Sequence, residues 1–559
     1  MTADRPIQNG AAEVPVASIT TRNTPSATLW RAIDGWFARM GDRLNPILVK
    51  ESRQALKSKQ FVVTFSLVLI CAWAWSLLGI ALLSPGVRYA PGGGFMLSGY
   101  FTVLVVPVLL IVPFSAFRSL AIEREDGTFE LLSITSLSAW KIVTGKLGSA
   151  VMQMLAYFSA LAPCIAFTYM LRGVDIVSIA FLLGYTFVGS VVLSAFGLAV
   201  GTVSRVRHWQ SVLSVFLLLF LLIVTFYWCV AFLALVTSGQ ANAFDGVDSW
   251  LAQLSIVSFC LSYMVLFVVI SAAQISFLSD NRSTRIRLVL LLQHFMWIGW
   301  MIFFWLRWDD DGVPYVTVIA AGIHWTLVGA LMTGEQGVLS ERVKRSLPQS
   351  VLGRMAFTWL NPGPGTGYVF TVANLVVLSV TFVVVADVAT SLGYNGLVGN
   401  SRWKALWLLI PAYITIYLGI GHMLIRMVRH VGRVTMFLAL AVNALVLLAG
   451  IAVPIFTVAK LRGYNNLEYG FSQVTNWAWT LHETVEGRIG IHADVLFAVT
   501  IAAIVVFLLN LWFESAETRH IRAAAPARVV DDDIALHPEK APKPSGPQSP
   551  WDDENVAQS

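Results

Sequence analysis

Residues that could do chemistry are few in this chain and lie far apart. The sequence contains no G-x-x-x-x-G-K-[ST] phosphate-binding motif, and Gly363-Pro-Gly-Thr-Gly367 lacks the lysine and does not follow a strand. The 4 cysteines and 9 histidines never gather at metal-ligand spacing. We therefore expect no ATP hydrolysis, no metal site and no bound cofactor in this chain, and we do not expect it to be an enzyme.

Two carboxylates in one polar loop are the nearest approach to an acid–base pair. Glu483 and Glu486 lie three residues apart, a spacing more typical of solvated carboxylates than of a catalytic pair. Two others, Asp387 and Asp494, lie near the ends of apolar runs, where water is close. Three histidines inside apolar runs are typical of hydrogen-bonded structural residues: His294, His324 and His422.

The composition is that of a membrane protein. Of 559 residues, 57% are hydrophobic and only 13% are charged, whereas a soluble domain carries about 25% charged residues. Twelve apolar runs reach the roughly 20 residues that a helix needs to cross a bilayer. They are residues 61–83, 98–118, 147–171, 177–203, 211–237, 252–278, 286–306, 314–333, 368–388, 404–425, 433–456 and 493–513.

The basic residues predict the orientation of these spans. With the N-terminus in the cytosol, 30 of the 38 Lys and Arg residues fall on the cytosolic side and eight on the outer side. The sequence thus predicts an all-α, polytopic protein with about 12 transmembrane helices and both termini inside. The net charge of +6 reflects this sorting rather than a basic face, so we expect no nucleic-acid partner.

A charged elbow, residues 121–146, joins the second and third spans. Its polar residues end one span, Gly127 permits a turn, and Thr128 can cap a short helix with Glu130 in its first turn. Ser138 offers a second cap before the chain re-enters the membrane. The elbow carries these candidate site residues: Glu123, Arg124, Glu125, Gly127, Thr128, Phe129, Glu130, Leu131 and Leu132.

This elbow resembles the segment that follows the second membrane helix in ABC-2 type transporter permeases. Their pattern is close to E-R-E-x-G-T-x-E-x-L-L-x-T-P-L-S-x-x-x-I-x-x-G-K, and this chain departs from it at Ser136, where a proline is frequent. Further matches are Thr135, Leu137, Ser138, Ile142, Gly145 and Lys146. In that family the segment forms a coupling helix that docks on the ATPase.

An amphipathic segment precedes the first span. The stretch Asn45-Pro-Ile-Leu-Val-Lys-Glu-Ser-Arg53 is similar to the N-P-x-L-x-K-E-x-R signature of the same permeases, and Asn45 can cap a helix whose first residue is Pro46. We expect an interface helix in the headgroup region. Its candidate residues are Trp30, Trp36, Phe37, Asn45, Pro46, Lys50 and Glu51.

The predicted organisation has five parts. They are a disordered cytosolic tail (1–28), interface helices (29–59), a six-span unit like that of type V ABC exporters (60–280), a second six-span region (281–515) and a second disordered tail (516–559). Glu335-Gln336-Gly337 faintly resembles Glu125-Asp126-Gly127 of the elbow. Two alternatives stay open for the second region: a degenerate repeat of the first, or an unrelated addition.

The resemblance implies the permease subunit of an ATP-binding cassette transporter, an exporter in the cytoplasmic membrane. Its expected partners are a separate ATPase subunit, which would bind the ATP, the lipid bilayer and, as an alternative to a single-chain permease, a second copy of itself. Two other hypotheses stay open. One is that the elbow is a membrane turn without a partner; the other is a membrane-embedded enzyme or secondary transporter that uses the outer loop 457–492.

Overall fold

A computed structural model describes most of the chain. The described residues are 45–84, 86, 91–125, 137–203, 207–237, 246–277, 280–308, 310, 312–335, 344, 350, 358–391, 401–432, 434–462, 469–486, 493–513 and 527–537. The predicted N-terminal tail (1–28) lies outside these residues, and so does the part of the predicted interface helices that carries Trp30, Trp36 and Phe37. So does the centre of the elbow, including Gly127, Thr128, Phe129, Glu130, Leu131 and Leu132.

The described residues are almost entirely helical and include no strand. The helices are α1 (Pro46–Leu56), α2 (Lys59–Leu83), α3 (Gly93–Val105), α4 (Val112–Glu125), α5 (Ala139–Met170), α6 (Ile176–Val203), α7 (Arg207–Thr237), α8 (Val247–Ile275), α9 (Ser283–Trp308), α10 (Gly312–Met332), α11 (Pro364–Ser391), α12 (Ser401–Val431), α13 (Met436–Arg462), α14 (Trp477–Glu486), α15 (Ala493–Phe513) and α16 (Ala527–Leu536).

Twelve helices in the described ranges are long and apolar enough to cross a membrane. Each overlaps one of the twelve predicted spans, so the prediction of a multi-pass helical membrane protein is confirmed. The second span is the continuous rod α3–α4, and α1, α14 and α16 are not spans. We call the end of the bundle where α2 begins the near face, and the opposite end the far face.

Two ion pairs at the far face show that α8 and α9, and likewise α11 and α12, run in opposite directions. Arg307, at the end of α9, bonds to Asp248 at the start of α8 at 3.0 Å. Lys404, at the start of α12, pairs with Asp387 near the end of α11. Because each pair joins the end of one span to the start of another, the termini of these helices alternate between the two faces.

The second span contains a π-helical turn, Val106–Ile111, between α3 and α4. Pro107 lies in this turn and has no backbone N–H to donate, so the regular α-helical ladder is interrupted here. Ser190 on α6 donates a hydrogen bond of 2.5 Å to the carbonyl oxygen of Val108. This contact satisfies a polar backbone atom inside the bundle and ties α6 to the rod that leads to the elbow.

The apolar core falls into two large clusters. The first is built from α1 to α8 and includes Met96, Tyr100 and Met154. The second begins at Leu266 on α8 and extends through α12, and it includes the fully buried Trp325. Helix α8 contributes to both clusters and therefore links the two halves of the bundle.

Helix α14 is not the surface cap or interfacial helix that the length of loop 457–492 allows. Trp477, its first residue, donates from Nε1 to the carbonyl oxygen of Leu447 at 3.1 Å. Leu447 lies 13 residues before Lys460, where the candidate membrane span of α13 ends, and this is about 20 Å along the helix. The chain therefore turns back into the bundle after α13, and α14 is a re-entrant helix.

Polar side chains hold this re-entrant helix in place. Gln473, which is fully buried, donates from Nε2 to the carbonyl oxygen of Pro454 at 3.1 Å. The Tyr413 hydroxyl donates to the carbonyl oxygen of Val474 at 2.5 Å. Asn476 caps the helix by accepting from the Trp479 N–H at 3.1 Å. Backbone groups that would be unsatisfied in lipid are thereby paired with the neighbouring spans.

The predicted C-terminal tail contains one helix, α16, of 10 residues. The disordered tail (516–559) stays a prediction, with a short helix described within it at residues 527–536. Alanines at both ends of this segment favour helix, and His537 contacts Asp533 at 3.3 Å across one turn. Isolated helices of this length are marginal in water, and the described side chains of α16 are mostly exposed.

Single cysteines in a variant lacking the four native ones would test the orientation. Gly86 on the far face and Gly432 on the near face are exposed, and a Cβ at either position meets no neighbouring atom. The distribution of basic residues predicts that an impermeant maleimide labels Gly86→Cys in sealed cells and labels Gly432→Cys only after permeabilisation. The reverse pattern would contradict the predicted N-in topology.

Candidate functional site

Helix α1 begins where the sequence predicts. The Asn45 side chain accepts from the Ile47 N–H at 3.1 Å, and Pro46 is the first helical residue, where its missing N–H costs nothing. The helix ends at Leu56, and Ser58 then caps α2 by accepting from the Phe61 N–H at 3.1 Å. Both ends of α1 are thus set by local caps, which confirms the prediction of a short helix before the first span.

Helix α1 packs closely against the start of α5. A Cβ at Gly145 would lie 2.9 Å from the Asn45 amide nitrogen and from Ile47, closer than such atoms normally approach. One turn later, a Cβ at Gly148 would lie 2.8 Å from Leu48. The Asn45 amide also donates to the carbonyl oxygen of Lys141. The contact between the two helices therefore favours glycine at 145, where the Cβ of Ile47 blocks a side chain, whereas at 148 the end of the Leu48 side chain could shift.

A buried lysine lies at the centre of this contact. The Lys146 ammonium on α5 is 3.3 Å from a carboxylate oxygen of Glu51 on α1 and 2.9 Å from one of Glu123 on α4. It also donates to the carbonyl oxygen of Ser119 at 3.2 Å. The lysine side chain is only 2% exposed. We call Lys146, Glu51 and Glu123 the near-face ion cluster.

The chemistry of this cluster is mechanical rather than catalytic. Taking a charge out of water is costly, and removal of one partner from a buried ion pair leaves the other uncompensated. One cation here pairs with two carboxylates on different helices, so separating α1, α4 and α5 within the bundle would leave the buried Lys146 ammonium without a carboxylate. The arrangement can transmit a displacement among the three helices, and it presents no nucleophile beside a base.

The structure brings together only some of the predicted site residues. Glu51 and Glu123 meet at Lys146, and Asn45 and Pro46 start the helix that carries Glu51. Lys50, the neighbour of Glu51 in the signature, is exposed. Arg124 and Glu125 form the last turn of α4. Ser138 caps α5 as predicted, by accepting from the Lys141 N–H at 3.4 Å.

Sequence reasoning matched Lys146 to a motif but assigned it no partner. Its two partners lie 95 and 23 residues earlier in the chain, and no local pattern reveals pairing over that range. The sequence did contain one indication of a buried ion pair: a lysine follows Gly145 at the start of an apolar run. A cation placed there requires a carboxylate if the helices around it pack closely.

A second buried cation lies at the near face of the other half. Arg287 on α9 is fully buried, and its Nη2 is 2.7 Å from Glu335 Oε2 at the end of α10. Its Nη1 donates to the carbonyl oxygen of Trp359 at 2.7 Å and to Thr366 Oγ1 at 3.1 Å. Together these contacts attach the start of α11 to α9 and α10.

The glycine-rich stretch 363–367 has a structural role at this second cluster. Gly363 donates its N–H to Glu335 at 3.2 Å, and its carbonyl oxygen accepts from Arg287 at 3.2 Å. Arg429 on α12 donates to the carbonyl oxygens of Thr333 and Glu335 at 2.9 and 2.6 Å. The stretch is therefore held by side chains of the bundle. Gln336 and Gly337, which belong to the stretch that faintly resembles the elbow, lie outside the described residues.

The described residues contain no group of three or more His, Cys, Asp or Glu side chains that could hold a metal ion. Comparison of the chain with family models, with curated proteins and with solved structures found no match. Function must therefore be argued from the motifs and from the contacts that they make.

Removing the cation of the near-face ion cluster should destabilise the protein strongly. Lys146→Met removes the cation that two carboxylates share, which are only 14% and 17% exposed, and we expect a loss of about 3–5 kcal/mol. Lys141→Met is the control, because Lys141 lies on the same helix but is exposed; its effect should stay within about 0.5 kcal/mol. Thermal unfolding of the purified proteins in one detergent measures both. Similar midpoints for the two variants would show that the cluster contributes little.

Proposed function

We propose that this chain is the membrane-spanning permease subunit of an ATP-binding cassette transporter, an exporter driven by a separate ATPase subunit. One observation carries the proposal. The segments that resemble ABC-2 permeases, the helix before span one, the end of span two and the start of span three, meet at the near-face ion cluster. In this proposal the near face is cytosolic, and the membrane is the cytoplasmic membrane.

The contacts suggest how such a subunit would respond to its ATPase. The elbow leaves the membrane at Glu125 and returns at Ala139. Glu123, before this excursion, and Lys146, after it, are joined by the 2.9 Å ion pair. A force applied to the elbow would therefore reach α4 and α5 together, and Glu51 would carry it to α1. ATP would be bound and hydrolysed by the partner.

The contacts of α14 give little support to the alternative function in loop 457–492. Glu483 is buried rather than solvated, which corrects the expectation from its spacing, and it accepts from the Trp479 indole N–H at 2.9 Å. Glu486 instead contacts His482 at 3.2 Å. Each carboxylate thus has its own partner on the helix, and the two do not form an acid–base pair.

Substitutions at the elbow separate docking from folding. Phe129 and Leu132 lie three residues apart and would share a helix face, so each could fill a pocket on the ATPase. Phe129→Asp or Leu132→Asp should cost about 2 kcal/mol or more of interface energy while the protein stays inserted. Glu130→Lys is the milder control, because it removes a first-turn charge of about 0.3–1 kcal/mol.

The measurement is co-purification with a P-loop ATPase encoded beside this gene, together with transport-stimulated ATP hydrolysis. The two Asp variants should lose both, and Glu130→Lys should retain most of both. Normal binding and stimulation by both Asp variants would mean that the elbow is a membrane turn and that the proposed function is wrong.

A comparison of the two halves tests whether both dock an ATPase. Replacing residues 126–134 with a Gly-Ser linker should abolish co-purification, whereas the same replacement of residues 336–343 should weaken it less. The second replacement retains Glu335, because its loss would leave the buried Arg287 unpaired. Equal loss from both replacements would instead support a duplicated permease that docks two ATPase subunits.

A further inference from the structure

A cavity of about 560 Å³ lies between α10, α12, α13 and the re-entrant helix α14. This volume is in the range of small-molecule sites, which span roughly 300–1,000 Å³. Helix α14 forms one wall of the cavity, from Trp477 to Val485. It shares no residue with the near-face ion cluster.

The lining of the cavity suits a hydrocarbon chain. It is almost entirely apolar, and its two buried tyrosines use their hydroxyl hydrogens elsewhere. The Tyr413 hydroxyl donates to the carbonyl oxygen of Val474, and the Tyr417 hydroxyl donates to that of Thr475. Apolar cavities are poor sites for water, which needs two to four polar partners. A polar ligand would find few groups to bind there.

The cavity opens sideways, toward the bilayer. Ile319 and Ile323 on α10 are 53% and 59% exposed, and Gly322 between them is buried against α12. All three line the cavity. Because α10 crosses the membrane, the medium beside these isoleucines is the acyl chains of lipids. An occupant therefore reaches the cavity from the membrane rather than from water.

Polar side chains at the far-face end of the cavity suit a lipid headgroup. His482 lines the cavity, and its Nε2 is 3.2 Å from Glu486 Oε1. The two side chains are 60% and 33% exposed. An imidazole N–H can donate to a phosphate, and a carboxylate can accept from an ammonium group. A headgroup that carries both groups fits this pair.

We propose that this cavity binds one acyl chain of a zwitterionic phospholipid, of the phosphatidylethanolamine type, from the far-face leaflet. The chain fills the apolar cavity behind Ile319 and Ile323, and the headgroup lies at His482 and Glu486. Filling the cavity restores the dispersion contacts that an empty apolar space of this size forgoes. This site does not depend on an ATPase partner and stands apart from the proposed transport function.

Photolabelling in defined vesicles tests the site. The full-length protein is reconstituted in phosphatidylethanolamine and phosphatidylglycerol vesicles that contain a trace of phosphatidylethanolamine with a diazirine on one acyl chain. After irradiation, peptide mapping should show labelling of residues 315–327 and 477–485 well above that of Phe497 and Ile504. Those two α15 residues are 69% and 53% exposed and report ordinary lipid contact.

Two tryptophan variants that block the cavity, and one matched control, test whether the labelling depends on the cavity. Ala478→Trp fills it from α14, and Ile323→Trp closes its opening from an exposed position that leaves the core intact. Either should reduce labelling of the cavity about tenfold, a free-energy change of about 1.4 kcal/mol. Leu448→Trp is the control, because Leu448 is 60% exposed and adjoins Leu447, which lines the cavity. Its labelling should equal that of the wild type.

Two outcomes would overturn the proposal. Wild-type labelling of the cavity no stronger than that of Phe497 and Ile504 would show ordinary contact with bulk lipid. Undiminished labelling in Ile323→Trp and Ala478→Trp would place the chain elsewhere. Competition then identifies the source of the chain. A larger share of unlabelled phosphatidylethanolamine in the vesicles should reduce labelling, and an equal reduction by free fatty acid or by a larger share of phosphatidylglycerol would rule out the proposed headgroup.

Discussion

The geometry at the near face depends on one buried lysine. Lys146 compensates two carboxylates that lie on different helices, Glu51 on α1 and Glu123 on α4. A buried charge needs close partners, so each of the three groups limits where the others can lie. The close contact at Gly145 and Gly148 has the same effect by steric means. Electrostatics and packing thus fix the position of α1 against α5, although α1 itself is short.

The second half also contains a buried cation that needs close partners, but the residues differ. There the cation is Arg287 on the first span of that half, and most of its hydrogen bonds go to backbone carbonyls and to Thr366. The carboxylate, Glu335, follows the second span, as Glu123 ends the second span of the first half. A guanidinium can bind several acceptors in fixed directions, which suits a turn rich in carbonyl oxygens. Both halves therefore place a carboxylate at the same point of their span order.

The spans and helix caps could be predicted from sequence because their causes are local. Twelve apolar runs of sufficient length became twelve helices, and Asn45, Pro46 and Ser138 act where predicted. The partners of Lys146 and Arg287 could not be predicted, because they depend on how distant helices pack. The sequence did not predict that α14 is re-entrant, because the length of loop 457–492 is equally compatible with a surface cap or an interfacial helix. Its polar stripe, Asn476, Thr480, Glu483 and Thr484 at helical spacing, was the available signal.

The position of α14 implies an order of events during biosynthesis. The segment from Gln473 to Glu486 is too short and too polar to be inserted as a span, yet its buried groups bond to α12 and α13. It can become stable within the bilayer only after those two helices have been inserted and have packed together. The growing chain must therefore leave this segment at the membrane surface first. It then enters a gap that its neighbours have already formed, so completion of the fold is a late step within the membrane.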